Sequence, residues 1–281
     1  MPKIRAAVCH EFGKPLVLEE VMLREPAAGE LEVTIRACAI CHSDISAMDG
    51  DWGGHLPAVY GHEAAGVITG IGADVSTYKI GDTVLVTLIR SCGHCVSCCS
   101  GKPTCCETRY DTVSGPLKTI DGKPMEQGLA TGAFAEKVVV DQSQIQHIPE
   151  NISMASASLL ACGVITGIGA VTNTAKVTAG ATVAVIGAGG VGLNAIQGSV
   201  ISGASKIIAI DVTEEKLKVA KEFGATDVVL TSDDKPHRIV KKMTGGRGVD
   251  YVFVTVGSIP AYESASRFLN VGGKVVMVGM P

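Results

Sequence analysis

The chain has 281 residues, enough for two domains that each bury a core. Ala, Val, Ile and Gly are abundant and aromatic residues make up only 4%, which suits an α/β protein with buried parallel strands. Twenty-eight acidic against 24 basic residues give a net charge of −4 without any Lys/Arg block, arguing against nucleic acid or an anionic membrane as partner.

In chain order, the N-terminus (MPKIRAAVCHEFGKP) lacks the apolar core of a signal peptide, and a reducing, cytoplasmic setting is expected. EVTIRACAI, AAGVITGIG, DTVLVTLI and FAEKVVV are β-rich runs punctuated by Gly, Pro and Asp; Gly70, Gly72, Gly81 and Asp82 mark turns. This half is expected to form a compact, irregular β domain. Six of the ten cysteines lie between Cys92 and Cys106, and in a chain without an export signal such crowding reads as metal ligation. Cys92, Cys95, Cys98 and Cys106 follow the spacing C-x2-C-x2-C-x7-C, and four thiolates from one loop can close a tetrahedral structural zinc shell. Cys99 and Cys105 sit beside these positions, so Cys105 is an alternative to Cys106 as the fourth ligand.

After about Asn151 the pattern changes. The small-residue stretch SMASASLLACGVITGIGA is expected to be helical, and two uncharged segments, Asn151–Ala175 and Val177–Ser205, are long enough to span a bilayer. Both are broken by Gly, Ser, Thr, Asn or Gln, so buried helix and strand is the reading preferred. Strand–helix units follow: TVAVIGAG, VGLNAIQGSVISG, KIIAID, TEEKLKVAKEFG ended by Gly224, then DVVL, DYVFVTVG and KVVMVGM as strands, with helices expected around His237–Met243 and Ala261–Leu269. Alternating units of this kind predict a doubly wound parallel sheet with right-handed crossovers.

Gly187, Gly189 and Gly192 form G-x-G-x-x-G between the strand TVAVI and a helix, with Gly190 and Val191 inside the motif. The first Gly permits a tight turn, the second lets a pyrophosphate approach the backbone, and the third lets helix and strand pack closely. The helix N-terminus then offers free N–H groups to the phosphates. Asp211 ends the next strand, where an acid binds the adenosine ribose hydroxyls and repels a 2′-phosphate; NAD is expected over NADP.

Cys41-His42-Ser43-Asp44, Gly61-His62-Glu63 and Cys162-Gly163-Val164, taken with the tetra-Cys loop and the glycine motif in this order, resemble the zinc-containing medium-chain alcohol dehydrogenases. The resemblance covers essentially the whole chain and is strongest to the long branch that includes the glutathione-dependent formaldehyde dehydrogenases. It implies a GroES-like β-rich catalytic domain over residues 1–165, carrying the structural zinc lobe, and an NAD-binding Rossmann domain over 166–281. It also implies two zinc ions per chain, a small-molecule alcohol or aldehyde substrate, and assembly as a dimer or tetramer. Cys41, His62 and Cys162 correspond to the catalytic zinc ligands. Ser43 corresponds to the hydroxyl that takes the alcohol proton, Asp44 to the acid that orients His62, and Glu63 to an acid behind the zinc.

For the cofactor, the resemblance places His42 at the pyrophosphate, Thr166 and Val191 behind the nicotinamide, and Lys216 near the adenosine ribose. Trp52 and Leu88 correspond to the lining of the substrate pocket, a bulky apolar pair that favours small or slender primary alcohols. Where many relatives end the proton relay in a histidine, this chain has Ser46, so proton exit through Ser43 is expected to use a water, Ser46 or another group. The family's acidic residues that recognise glutathione adducts are not clearly matched near Trp52. The family continues past KVVMVGMP with a last sheet strand and a return segment, so the resemblance implies an incomplete nucleotide domain. The competing expectations are a catalytically impaired, zinc-stapled nucleotide-binding fragment and a polyol or amino-alcohol dehydrogenase.

Overall fold

The computed structural model describes residues 1–232 and 235–280. It divides into two units, Met1–Cys162 and Gly163–Pro281.

The first unit contains β1 (Lys3–Cys9), β2 (Val17–Leu23), β3 (Glu30–Ala39), α1 (His42–Asp49), β4 (Ala58–Val59), β5 (Glu63–Ile71), β6 (Thr83–Val86), the short α2 (Val96–Cys99), β7 (Leu117–Lys118), β8 (Glu126–Gln127), β9 (Lys137–Asp141), β10 (Ile145–His147) and α3 (Met154–Leu159). Its strands form two sheets, in the orders β7-β2-β1-β4-β8 and β10-β6-β5-β3-β9. Alternation explains how they stack. In β1 the buried Ile4, Ala6 and Val8 alternate with the more exposed Lys3, Arg5 and Ala7. In β9, Val138 and Val140 enter the core with Leu31, Val33, Ile68 and Val84, while Val139 joins Ile4, Val8, Val21 and Leu23. One strand therefore contributes to both cores. Each fully buried Val or Ile is worth about 1.5–3 kcal/mol.

The β-rich runs recognised in the sequence correspond to β3, β5, β6 and β9. The structure adds β1 and β2, paired antiparallel, and α1 within CHSDISAMDG, none of which the sequence reading had singled out.

The second unit holds α4 (Ile165–Gly169), β11 (Thr182–Ile186), α5 (Gly190–Ile201), β12 (Lys206–Asp211), α6 (Glu214–Glu222), β13 (Asp227–Leu230), α7 (Pro236–Met243), β14 (Val249–Val254), α8 (Ile259–Ala265) and β15 (Leu269–Met277). The sheet runs β13-β12-β11-β14-β15 with every adjacent pair parallel. Order reverses at β11, the crevice where doubly wound sheets bind ligands. Val183 and Val185 of β11 face a core shared with Ala195 and Ile196 of α5, whereas Ala184 and Ile186 face Val240 of α7 and Ala265 of α8. Burial on both faces is why these strands read as continuous apolar runs. The helix expected to reach Leu269 ends at Ala265, followed by a single 3₁₀ turn, and Leu269 opens β15. There Leu269 pairs with Val249, and the Leu269 backbone comes within 2.6 Å of where a Cβ on Gly248 would stand.

The helical run Met154–Ala175 is long and apolar enough to cross a membrane by length and composition. A buried helix passes the same criterion. In the first unit α3 packs on β3 and β5; in the second α4 packs on α5. Two π turns, Leu160–Val164 and Ala170–Ala175, interrupt the run.

Candidate metal centres and nucleotide site

Two clusters of ligand-type side chains form in the first unit. The Sγ atoms of Cys92, Cys95, Cys98 and Cys106 all lie within 4.8 Å of one another. Two of the separations, Cys92–Cys98 and Cys95–Cys106, are 4.0 Å. Sulfurs tetrahedral about zinc at roughly 2.3 Å stand roughly 3.8 Å apart, so the arrangement already fits the ion. Backbone N–H groups point at these sulfurs: Cys95 N–H donates to Cys92 Sγ at 3.2 Å, Cys98 N–H to Cys95 Sγ at 3.4 Å, and Cys92 N–H to Cys106 Sγ at 3.3 Å. Such donors stabilise thiolate over thiol. Cys105 stays exposed on its 3₁₀ turn and Cys99 is exposed as well; neither joins the cluster.

The second cluster unites Cys41, His62, Glu63 and Cys162, whose ligand atoms likewise lie within 4.8 Å of one another. Distant segments deliver them: Cys41 caps the N-terminus of α1, His62 and Glu63 stand at the start of β5, and Cys162 lies in the π turn after α3. Asp44, fully buried in the first turn of α1, binds these segments together. Its Oδ2 accepts the Cys41 N–H at 3.0 Å, and its Oδ1 accepts the Gly61 N–H at 3.0 Å and the His62 Nδ1–H at 2.8 Å. An ionised carboxylate only accepts, so Nδ1 carries a proton. Burial lowers the imidazole pKa, but Asp44 and the Cys41 sulfur outweigh it and push it up to about 9, so a metal ion at Nε2 would displace a proton there. His62 Nε2 is buried and has no hydrogen-bond partner, and it stands in the midst of the Cys and Glu ligand atoms. A buried polar atom without a partner is costly unless something else occupies its lone pair, and a metal ion does so.

The charge environment suits a cation. A hydrogen bond with Cys162, opposed by burial and reinforced by His62 and the Ser43 N–H, brings the Cys41 thiol down to about 3. Burial and the adjacent Cys41 sulfur push the Glu63 carboxyl up to about 7, a tension that a positive ion would relieve.

Around this cluster, His42 is the exposed first residue of α1. Ser43 and Ser46 are both half-buried and three residues apart on the helix, hence neighbours along one face. Trp52 is exposed beyond the end of α1, and Leu88 is half-buried past β6. Thr87, to which the sequence reading gave no role, donates its hydroxyl to the Ala161 carbonyl at 2.7 Å, one residue before Cys162. A threonine at a strand end reads as an ordinary β-former, so nothing in the sequence signalled it.

In the second unit the glycine motif forms the turn from β11 into α5. Gly187 has φ +98, and a Cβ on Gly192 would stand 1.8 Å from the Gly187 oxygen, so the third glycine is required for helix to meet strand. Cβ positions on Gly189 and Gly190 meet nothing within 4 Å. That open space, at the N-terminus of a 12-residue helix without a side-chain cap, is the cradle a pyrophosphate needs. Asp211 is buried at the end of β12, its two oxygens accepting from Ala188 N–H at 2.7 Å and Thr213 N–H at 3.0 Å. Each oxygen keeps a further lone pair for a hydroxyl donor. Lys216 is exposed on α6. Thr166 on α4 and Val191 on α5 sit on helices in close contact: a Cβ on Gly167 would lie 2.4 Å from the Val191 oxygen.

Comparison with known proteins places this geometry. The family model "Alcohol dehydrogenase GroES-like domain" matches residues 27–150, and "Zinc-binding dehydrogenase" matches residues 190–281. An alcohol dehydrogenase zinc-binding domain protein from Burkholderia ambifaria is 32% identical, with a TM-score of 0.93, covering 100% of this chain and 78% of its own. The benzyl alcohol dehydrogenase of Acinetobacter calcoaceticus is 31% identical with a TM-score of 0.92 and the same coverage. A zinc-binding dehydrogenase from Sinorhizobium meliloti 1021, solved bound to NADP, is 26% identical with a TM-score of 0.82, covering 100% of this chain and 78% of its own.

Proposed function

The chain belongs to the zinc-containing medium-chain alcohol dehydrogenases, and from that premise we propose that it interconverts alcohols with aldehydes or ketones by hydride transfer to NAD. The observation that carries this reading is His62 Nε2, buried and unpartnered among two cysteine sulfurs and a carboxylate. Cys41, His62 and Cys162 would hold one zinc, and Cys92, Cys95, Cys98 and Cys106 a second. Bound in the first site, zinc supplies Lewis acidity towards an alcohol oxygen, and the nicotinamide accepts hydride.

The remaining work falls to the chain's own groups. Asp44 fixes the imidazole tautomer and orientation. Ser43 takes the alcohol proton, and Ser46, its neighbour on α1, carries it onward in place of the histidine many relatives use. Glu63 adds negative charge close to the ligands and can exchange with them. In the second unit, Gly189, Gly190 and the α5 N-terminus receive the pyrophosphate, Asp211 the ribose hydroxyls, and Lys216 the outer face of the adenosine. His42, Thr166 and Val191 are proposed to complete the cofactor contacts.

The Asp211 carboxylate favours NAD, because a 2′-phosphate would meet its negative charge. Trp52 and Leu88 point to slender primary alcohols, and the likeness to a benzyl alcohol dehydrogenase adds benzylic ones. The test is reduction of NAD and NADP over a panel of ethanol, benzyl alcohol, sorbitol and threonine, run beside zinc quantification. Two zinc per chain and NAD reduction with a primary alcohol are expected. Turnover with sorbitol or threonine alone would replace the substrate class, and two bound zinc without any hydride transfer would refute the activity. Sedimentation of the same sample tests the dimer or tetramer expected of the family.

A further inference from the structure

We propose that Thr87 is a positioning residue for Cys162: its hydroxyl fixes the π turn that brings the Cys162 sulfur to Cys41 and His62. This rests on the reading of that cluster as a zinc centre.

Of the three ligand segments, two are held by Asp44. It binds the Cys41 N–H and the His62 ring directly, but Cys162 comes from a separate stretch of chain beyond α3. The turn Leu160–Val164 has the wide π register, in which an extra residue displaces the ordinary helical hydrogen bonds. Left to itself, such a turn has competing α and π arrangements that move the sulfur of residue 162 relative to its partners.

The Thr87 side chain supplies an external constraint. It donates to the Ala161 carbonyl at 2.7 Å, on the residue directly before the ligand, and accepts the Ile89 N–H at 3.4 Å. The same residue is anchored from behind: its N–H donates to the Gln144 carbonyl at 2.9 Å, and its carbonyl accepts the Gln144 amide at 2.9 Å. Gln144 is almost fully buried and also donates to Ala130 at 3.0 Å, so the anchor is stiff. The hydroxyl therefore joins the Cys162 turn to a rigid part of the first unit. By accepting from Ile89 it also pins the residues flanking Leu88. Groups that hold a metal ligand from behind change metal affinity roughly 10- to 100-fold when removed.

The test compares the full chain with Thr87→Val, which keeps the shape and loses the hydroxyl, and Thr87→Ser, which keeps the hydroxyl. Zinc release is followed by competition with a chromophoric chelator, the tetra-Cys zinc serving as an internal control. Cobalt substitution reports geometry through its sulfur-to-metal charge-transfer band. Thr87→Val is expected to weaken one zinc roughly tenfold and alter the cobalt band, with the other zinc unchanged; Thr87→Ser is expected to restore both. Thr87→Ala replaces the valine variant should that fail to fold. If the wild type loads both sites and the hydroxyl-free variants match it, or if serine behaves like valine, this inference is overturned while the zinc-centre reading stands. A wild-type chain that loads only the tetra-Cys site overturns both.

Discussion

At the scale of single residues, the zinc-centre reading depends on Asp44 more than on any ligand taken alone. One carboxylate accepts three donors, two of them within ligand residues and the third on Gly61, next to His62. Asp44→Asn preserves shape but brings an amide donor to face three donors, leaving at least one buried pair unsatisfied. We expect a loss of about 1–3 kcal/mol in stability, measured by urea unfolding, together with weaker retention of one zinc. Cys41→Ala is expected to abolish alcohol-dependent NAD reduction and lower the zinc content from two to one per chain. A separate effect concerns pH. Burial would raise the Glu30 carboxyl, but the Arg24 guanidinium, at 2.9 Å, and the Ala27 N–H outweigh burial and hold it below its ordinary value. A depressed carboxyl contributes stability that is complete above the unfolded value, about 4.3, and is lost as pH falls through the folded one. Arg24→Met should cost about 2 kcal/mol at neutral pH, between the limits for exposed and buried pairs. It should also flatten the acid limb of the stability profile; an unchanged limb would assign that limb to other groups.

At the scale of elements, the glycine turn separates two kinds of requirement. Gly192→Ala drives a methyl into the Gly187 carbonyl, so thermal unfolding should show a large loss of stability. Gly189→Ala enters open space and should leave the melting temperature of the free protein unchanged while weakening dinucleotide binding at least tenfold by calorimetry. Equal NAD affinity for Gly189→Ala and wild type would remove the pyrophosphate from this turn. The same turn also shows what sequence makes visible. β11, β12 and β13 could be placed to within a residue or two, because strands buried on both faces are unbroken apolar runs and local glycines end them. α1 escaped because CHSDISAMDG is too polar to show an apolar stripe; it is held by the Asp44 bonds and the left-handed Gly50 at its end. β1 and β2 are short alternating strands whose partners make them stable. The tetra-Cys spacing was legible as metal ligation by itself. The Cys41 cluster was not, since its members are scattered along the chain and only tertiary pairing of α1, β5 and the π turn gathers them. Thr87 was invisible for the same reason: its partner lies far along the chain.

At the scale of the whole molecule, the loop from Cys92 to Cys106 stands apart from the sheets, because none of its residues is buried. With no apolar core, a zinc ion held by the four sulfurs, as proposed, would supply its folding energy. Chelation is expected to open this loop without melting the sheets, making the bond after the exposed Arg109 cleavable by trypsin while the far-ultraviolet dichroism stays near its starting value. Cleavage elsewhere at the same rate would show the loop to be integral to the first unit. The two sulfur clusters also differ in how far apart their members lie along the chain, and this bears on time rather than stability. All four sulfurs of the loop lie within a sequence separation of 14, a short closure the chain can make once Cys106 is free to fold. The other cluster must wait for Cys162, and for the pairing of β3 with β5 that sets His62 in place. If both clusters bind zinc as proposed, the loop would be filled first during synthesis or refolding under scarce zinc, and chains holding a single ion would accumulate as folded intermediates before the Cys41 cluster is loaded.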